Sequence, residues 1–283
     1  MIDEAVLTVA GLRSPALAGG DASSPEAVVF VHGSPGSSRD WRDLMAQVAP
    51  FSRVLAVDMP GFGQADKPAD FDYTVAGYSR HLGLALDSQR IRRVHLVLHD
   101  FGGAWGLDWA AGHLDQVASL TLVNIGIQPG YRWHAMARLW RMPVVGELVM
   151  AATTHLGMKL AMRRGNPRGL PAAYFDEMYS NFDAATRRAV LKLYRHTNEP
   201  GSASGRLVEV LAPRRLPATV VWGACDPYIP VRYAQMQRQF FDVDQVVVLE
   251  DSGHWPMIDN PAAVAGAVVP FLRRQTMGSR MAA

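Results

Sequence analysis

The chain has 283 residues, of which 49% are apolar and 19% are charged, and its formal net charge is +2. This length is sufficient for one large domain with an inserted subdomain. The small net charge disfavours nucleic acid as a partner. No apolar run reaches the roughly 18 residues that span a bilayer, so no membrane partner is expected. Its one cysteine excludes an intramolecular disulfide. The first residues lack the basic and apolar pattern of a signal peptide, and together these features predict a cytoplasmic protein.

Apolar and β-branched runs alternate with stretches of helical spacing along most of the chain. In chain order, the predicted elements are an edge strand over 5–9, a loop or hairpin turn over 13–26, a strand over 27–31, a helix over 40–48, a strand over 53–57, a helix over 73–89, a strand over 94–98 with a helix after it, a strand over 117–123, a long helical segment, a strand over 218–223, a helix over 231–241, a strand over 245–249 and a helix over 261–272. Continuous apolar runs are typical of strands that are covered on both faces. The pattern therefore predicts an α/β fold with a doubly wound, mostly parallel sheet.

The character of the chain changes between residues 127 and 204. This span contains no β-branched run, and its helical stretches are broken at Pro143, at Gly165-Asn166-Pro167 and at Pro171. Strand–helix alternation resumes afterwards, which predicts a helical lid of residues 127–204 inserted into a core of residues 1–126 and 205–283. These patterns do not determine the oligomeric state, and a homodimer stays open.

The most informative stretch is His99-Asp100-Phe101-Gly102-Gly103, directly after a predicted strand. An apolar run that ends in a sharp turn and continues as a buried helix is typical of a corner that holds one side chain above a sheet. The side chain at this corner is Asp100, where serine is usual. A carboxylate at this place indicates nucleophilic attack on carbon instead of acyl transfer.

A carboxylate nucleophile needs a base, a group that orients the base, and donors for the negative charge that develops. His254, after the last predicted strand, is the candidate base, although a lone loop histidine is more often a turn residue. Asp226 is the candidate orienting acid, because the other strand end where an acid would serve carries Asn124; the alternative for Asp226 is a turn residue before proline. The chain order of nucleophile, acid and histidine favours catalysis. The backbone N–H groups of Ser34 and Phe101 are the candidate donors.

The chain resembles the α/β-hydrolase superfamily over essentially its whole length, and within it the aspartate-nucleophile branch of epoxide hydrolases and haloalkane or haloacid dehalogenases. The matching stretches are His32-Gly33-Ser34-Pro35, Asp58-Met59-Pro60-Gly61-Phe62-Gly63, His99-Asp100-Phe101-Gly102-Gly103, Trp222-Gly223 with Asp226, and Gly253-His254-Trp255. The resemblance implies an Asp-His-Asp triad, in which Asp100 forms an alkyl-enzyme ester and His254, held by Asp226, activates the water that hydrolyses it. The N–H groups of Ser34 and Phe101 would form the oxyanion hole. The resemblance also implies a small-molecule substrate and water as the second reactant. It implies neither a cofactor nor a metal.

The group that receives the charge of the leaving atom separates the members of this branch. Epoxide hydrolases use two lid tyrosines, and Tyr194 lies in a Tyr-Arg stretch that resembles the one carrying the second of them. Tyr194 is therefore the candidate proton donor, and a structural helix tyrosine is the alternative. Tyr131, Tyr174 and Tyr179 also fall in the lid but in no matching motif, and Tyr174 is kept as a candidate for substrate binding.

Dehalogenases bind the departing halide through Trp or Asn N–H groups, often from the residue after the nucleophile. Here that residue is Phe101, and Ser34 stands where asparagine is common, so the haloalkane hypothesis is weakened. Trp133 and His134 in a basic lid keep a haloacid dehalogenase open, with Trp133 as a candidate for substrate binding. The leading hypothesis is an epoxide hydrolase acting on a small hydrophobic epoxide. A carbon–halogen hydrolase is the alternative, and a catalytically silent binding protein is a further one.

Overall fold

An eight-stranded sheet forms the centre of this computed structural model, which describes residues 1–197 and 200–282 and, within them, all side chains except those of residues 203 and 279–282. The strands are β1 (Ile2–Val9), β2 (Leu12–Gly19), β3 (Glu26–Val31), β4 (Arg53–Val57), β5 (Arg93–His99), β6 (Val117–Val123), β7 (Pro217–Gly223) and β8 (Asp242–Leu249). Across the sheet their order is β1-β2-β4-β3-β5-β6-β7-β8. The pairs β1–β2 and β2–β4 are antiparallel, and β4, β3, β5, β6, β7 and β8 pair in parallel.

Both faces of this sheet are covered by apolar layers. In β3, Val28 and Phe30 belong to one buried cluster, while Val29 and Val31 belong to the other. Successive side chains of a strand point to opposite faces, so a strand in the middle of such a sheet must be apolar throughout. The predicted fold class, an α/β fold with a doubly wound, mostly parallel sheet, is confirmed.

The second strand is the element that the sequence pattern missed. We expected a loop or hairpin turn over 13–26, yet Leu12–Gly19 is a strand that pairs with the whole of β1 and with part of β4. The chain reverses at Ala10 and Gly11, which both have positive φ, and this tight turn brings the two strands together. Because small residues, serine and proline dominate β2, its composition is typical of a loop, and pairing on both sides decides its conformation.

Twelve α-helices are found in the described part of the chain. They are α1 (Arg42–Val48), α2 (Val75–Ser88), α3 (Phe101–Gly112), α4 (Ala135–Arg141), α5 (Val145–Ala152), α6 (His155–Arg164), α7 (Ala172–Asn181), α8 (Ala184–His196), α9 (Pro200–Leu211), α10 (Arg232–Met236), α11 (Pro256–Asp259) and α12 (Pro261–Ala282). Short 3-10 helices occupy Ser38–Trp41, Ala212–Arg214 and Gln237–Gln239. Helices α1 and α12 pack on one face of the sheet, and α2 and α3 pack on the other.

Helices α4 to α9 lie between β6 and β7 in the chain, and we call them the helical insertion. The last of them, α9, runs continuously across residue 204, where the predicted lid ends. The loops that follow β3, β5, β6, β7 and β8 all leave the carboxyl edge of the parallel strands, which is where α/β sheets bind ligands. Among the described residues, we find no helix long and apolar enough to cross a membrane.

Candidate active site

Asp100 occupies a sharp corner between β5 and α3. Its backbone has φ 49° and ψ −128°, a conformation that costs a non-glycine residue about 1–3 kcal/mol. Two glycines let the end of β3 approach this corner closely. A Cβ atom at Gly102 would lie 2.4 Å from the carbonyl oxygen of Val31, and one at Gly33 would lie 2.5 Å from Oδ1 of Asp100. The strained corner therefore depends on glycine at both positions.

The carboxylate of Asp100 lies among hydrogen-bond donors. The backbone N–H of Ser34 donates to Oδ1 at 2.8 Å, and Oδ2 lies 3.6 Å from Nε2 of His254. Burial alone raises the pKa of Asp100, but His254 and the Ser34 N–H stabilise the charged form and hold this pKa at about 2. Phe101 begins α3, in the first turn, where backbone N–H groups have no intrahelical partner. Asp100 is therefore ionised at neutral pH and accepts the Ser34 N–H, while the N–H of Phe101 lies at the adjacent start of α3.

The imidazole of His254 lies between two carboxylates. Its Nδ1 is 2.7 Å from Oδ2 of Asp226, and its Nε2 faces Asp100. Burial alone lowers the pKa of His254, but the charges of Asp226 and Asp100 raise it to about 10. The structure therefore brings Asp100, His254 and Asp226 together, and in this state the imidazole carries a proton at neutral pH.

Asp226 is held in place by four hydrogen-bond donors, which come from its own loop, from the loop after β6 and from the loop after β8. Its Oδ1 accepts the backbone N–H groups of Tyr228 at 2.7 Å and Ile229 at 3.0 Å. Its Oδ2 accepts the side-chain amide of Asn124 at 2.7 Å, in addition to His254. Asn124 in turn accepts the N–H of Gly223 at 2.9 Å. Sequence reasoning treated Asn124 only as a missing acid, whereas it is a buried partner that orients the acid.

The helical insertion holds the loop of His254. The His254 N–H donates to the carbonyl oxygen of Gly165 at 3.0 Å, and the Trp255 N–H donates to Oδ1 of Asn166 at 3.0 Å. Asn166 is fully buried, and its amide nitrogen donates to the carbonyl oxygen of Met162. From the sequence, Gly165 and Asn166 were only a break between helices. No local signal reveals their contact, because the partners lie about ninety residues apart in the chain.

A cavity of about 410 Å³ lies above Asp100, between the sheet and the helical insertion. Its wall contains Ser34, Asp100 and His254, and most of its other side chains are apolar or aromatic. The aromatic lining consists of Phe101, Tyr131, Trp133, His134, Trp140, Phe182, Tyr194, Tyr228 and Trp255. A concave, mostly apolar space with a few convergent polar groups is typical of a small-molecule site.

Tyr194 and Trp133 lie on the wall of this cavity, as a substrate-binding role requires. The ring of Tyr194 is 5.0 Å from that of Phe101 and 5.0 Å from that of Trp133. Burial raises the pKa of Tyr194 well above 10, and the charge of Asp100 contributes a smaller part of this increase, so the hydroxyl is protonated. This hydroxyl makes no hydrogen bond with any residue that the structure describes. Tyr194 therefore presents a neutral, unpaired donor near Asp100.

Tyr174 lies elsewhere. Its hydroxyl donates to Oδ1 of Asp40 at 3.1 Å. Tyr174 is not among the described residues that line the cavity. The structure does not bring Tyr174 together with the other candidate residues, because its side chain reaches from α7 towards the helix that begins at Ser38. Of the other two lid tyrosines, Tyr131 lines the cavity but donates its hydroxyl to the carbonyl oxygen of Tyr228.

His134 is a cavity residue for which the sequence suggested only a role in haloacid binding. Its Nδ1 accepts the backbone N–H of Ala137 at 3.2 Å, so in the neutral ring the proton is on Nε2. Burial lowers the pKa of His134 to about 4, which keeps the ring neutral. Its ring packs 4.9 Å from that of Tyr228. His134 is therefore a second neutral donor that lines the cavity, after Tyr194.

Among the described residues, no cluster of side chains is arranged to hold a metal ion.

Comparison with known proteins supports one family. The family described as "Alpha/beta hydrolase family" matches residues 28–267. An uncharacterized protein of Mycobacterium tuberculosis is 30% identical over 272 residues, covering 89% of this chain and 76% of that protein. A haloalkane dehalogenase of Mesorhizobium japonicum is 39% identical over 135 residues, covering 44% of this chain and 43% of the enzyme.

Solved structures share the same fold. The haloalkane dehalogenase DbeA from Bradyrhizobium elkani has a TM-score of 0.84 and 22% identity, covering 98% of this chain and 100% of that chain. The epoxide hydrolase VrEH1 from Vigna radiata has a TM-score of 0.80 and 18% identity, covering 96% and 98%. At these identities the likeness concerns the fold alone.

Proposed function

Since the chain belongs to the α/β-hydrolase family and is a hydrolase, we propose that it hydrolyses epoxides through an alkyl-enzyme ester on Asp100. The observation that carries this proposal is the pairing of a charged carboxylate with the unpaired Tyr194 hydroxyl on the wall of one apolar cavity. A carboxylate attacks carbon, and an epoxide oxygen needs a proton donor when its bond to carbon breaks. The helical insertion acts as a lid that excludes bulk water from this cavity.

In the first step, an Oδ atom of Asp100 attacks one epoxide carbon, and the bond between this carbon and the oxygen breaks. The oxygen takes the proton of Tyr194 and becomes a hydroxyl group. Ester formation removes one of the two negative charges that raise the pKa of His254, so His254 gives up its proton, and this proton restores the Tyr194 hydroxyl. The step therefore starts from a charged Asp100 and a protonated His254, and it ends with a neutral ester and a neutral imidazole.

In the second step, the neutral His254 takes a proton from water, and the hydroxide attacks the carbonyl carbon of the ester. The N–H groups of Ser34 and Phe101 stabilise the oxyanion, as the Ser34 N–H already does for the resting carboxylate. Collapse releases the second alcohol oxygen, which takes the proton left on the former water oxygen. Asp100 is charged again and His254 is protonated again, and the product is a diol.

The test is to stop the reaction between the two steps. In His254→Gln the water has no base, so an epoxide substrate should leave a stable adduct whose mass equals that of the epoxide. We would incubate this variant with a panel of aryl and alkyl epoxides, measure intact mass, and locate the adduct by peptide mapping. The adduct should be on Asp100, and the double variant with Asp100→Asn should form none. Absence of adduct from the whole panel would contradict the epoxide proposal.

A carbon–halogen hydrolase is the second candidate, and one observation favours it. The indole N–H groups of Trp133 and Trp140 are buried and unpaired among the described residues, and both side chains line the cavity. Weak N–H donors of this kind suit a departing halide. The same His254→Gln variant should then accumulate an adduct from haloalkanes or haloacids and release halide in one turnover. Phe101, whose ring has no N–H, counts against this candidate.

A further inference from the structure

The helical insertion exposes an unusual number of large apolar side chains. Of those exposed among the described residues, seven lie on or between three consecutive helices, α4, α5 and α6: Met136, Leu139, Met142, Val144, Leu148, Leu156 and Leu160. The four most exposed, Val144, Leu148, Leu156 and Leu160, have between 57% and 68% of their surface open to solvent. Grouped apolar exposure of this kind marks an interaction surface. We call these seven residues the apolar face.

One residue of the apolar face is also strained. Val144 has φ 67°, a region that β-branched residues rarely adopt, and it is 68% exposed. In the connection between α4 and α5, the apolar side chain of Val144 is therefore exposed to solvent, which the hydrophobic effect disfavours, and its backbone adopts a conformation that valine disfavours. Such a conformation is expected where the side chain has an external partner.

Most of the charged side chains on the segment that carries the apolar face, residues 135–164, are positive. Arg138, Lys159, Arg163 and Arg164 are exposed, and none of them is in an ion pair with a described carboxylate. The segment 135–164 contains a single carboxylate, Glu147, which is paired with Arg195 outside the segment. On α6 the spacing of Leu156, Leu160 and Arg164 puts two leucines and a cation on one stripe of the helix.

The apolar face surrounds the opening of the cavity. Ala152, Thr154, Gly157 and Ala161 line the cavity and are also exposed at the surface. They lie on α5 and α6 or on the connection between them; Gly157 and Ala161 directly follow Leu156 and Leu160, and Ala152 lies one helical turn after Leu148. A body that covers the apolar face would therefore meet the opening through which a substrate reaches Asp100.

We propose that helices α4, α5 and α6 dock on an anionic lipid surface, with the cavity opening turned towards the lipid. Helices with leucines on one face and Arg or Lys beside them bind anionic membrane interfaces in this way. A second copy of the chain fits less well, because a two-fold contact would set the unpaired cations of one face against those of the other. Surface docking needs no spanning helix, and in this respect the proposal departs from the expectation that the protein has no membrane partner. The proposal does not depend on the reaction that Asp100 catalyses.

The test is cosedimentation of the full chain with sucrose-loaded vesicles. The protein should bind vesicles of equal parts phosphatidylglycerol and phosphatidylcholine at low salt, and binding should weaken at high salt and on pure phosphatidylcholine. Replacing both leucines of α6, Leu156→Ser with Leu160→Ser, should lower the partition coefficient about tenfold or more. The matched control is Leu84→Ser, which changes a 48% exposed leucine on α2 and should leave binding unchanged.

A second variant separates charge from apolar contact. Arg163→Gln with Arg164→Gln should weaken binding to phosphatidylglycerol vesicles and remove most of its salt dependence. All changed side chains are exposed, so the variants should unfold at the same temperature as the wild type. The proposal is overturned if the wild type does not bind the anionic vesicles, or if the Leu84 control loses as much binding. It is also overturned if sedimentation velocity shows a dimer that the Leu156/Leu160 variant abolishes while vesicles bind neither protein.

Discussion

Replacing Asp100 by asparagine should lower the pKa of His254 by about three units. The imidazole Nε2 and Asp100 Oδ2 are 3.6 Å apart, and both side chains are almost completely buried. At this distance and an effective dielectric constant of about 20, the attraction is about 4–5 kcal/mol, which corresponds to about 3 pKa units. The pKa of His254 should therefore fall from about 10 in the wild type to about 7 in Asp100→Asn.

The perturbation copies the charge state of the alkyl-enzyme ester, in which Asp100 is neutral. If the pKa falls as expected, ester formation converts His254 from a protonated partner of the nucleophile into a base that can accept a proton from water. The remaining charge of Asp226, 2.7 Å from Nδ1, keeps the ring oriented in both states. In the proposed reaction, the charge of Asp100 would thus keep His254 protonated until the ester has formed, and only then would His254 act as a base.

The assay is a pH titration of the His254 ring nitrogens by NMR, with the signal assigned from its loss in His254→Gln. The matched control is Asp108→Asn, which neutralises a carboxylate on α3, the helix that begins directly after Asp100, and this carboxylate is paired with Arg206 at the surface. The control should titrate like the wild type. A shift of less than about one unit in Asp100→Asn would refute the reasoning, because the charge of Asp100 would then not be what holds the proton.

Three further predictions concern the cavity, the helical insertion and stability. Tyr194→Phe should lower kcat/KM for an epoxide by about 10²- to 10⁴-fold, because the proton donor is lost. The control is Tyr179→Phe, since Tyr179 is not among the described residues that line the cavity, and it should leave kcat/KM unchanged. Equal losses in the two variants would contradict a donor role for Tyr194. Asn166→Ala removes the hydrogen bond that holds the loop of His254, so it should slow ester hydrolysis about tenfold in single-turnover kinetics and leave alkylation nearly unchanged. Asn181→Ala serves as the control. A loss in alkylation alone would contradict the inference that Asn166 positions His254. Burial raises the pKa of Asp40 to about 8, so the folded chain keeps a proton that the unfolded chain loses above about pH 4, and stability falls as the pH rises from about 4 to 8. Asp40→Asn should abolish this fall and raise Tm at pH 8 by about 2–4 °C or more; parallel Tm curves from pH 5 to 8 would contradict it.

The groups proposed to react could be predicted because each lies in a short stretch with its own local requirement. Asp100 ends an apolar strand, and the glycine two residues later permits the close approach of β3. The Ser34 N–H follows another strand end and donates to the carboxylate, as expected for an oxyanion donor. These signals are local, since a turn of this kind tolerates few residue types at a few adjacent positions.

The residues that position these groups could not be predicted in the same way. Asn124 and Asn166 each bond to a partner far away in the chain, and an asparagine at a strand end or after a helix is common in any protein. His134 gave no sign that its Nε2 would carry the proton, because that follows from one backbone N–H donated to Nδ1. For Tyr174, lid position alone did not tell whether the side chain would turn towards the cavity or towards Asp40.

By itself, the sequence determined the fold class, the corner at Asp100 and the order of the three residues proposed for catalysis, because apolar periodicity and glycine-dependent turns act over a few neighbouring residues. The tertiary structure decided that Leu12–Gly19 is a strand, that Asn124 holds Asp226 and Asn166 holds the loop of His254, and that the pKa values of Asp100 and His254 move in opposite directions. These properties arise from burial and from contacts between distant segments. The distances that set their energies exist only after the chain has folded.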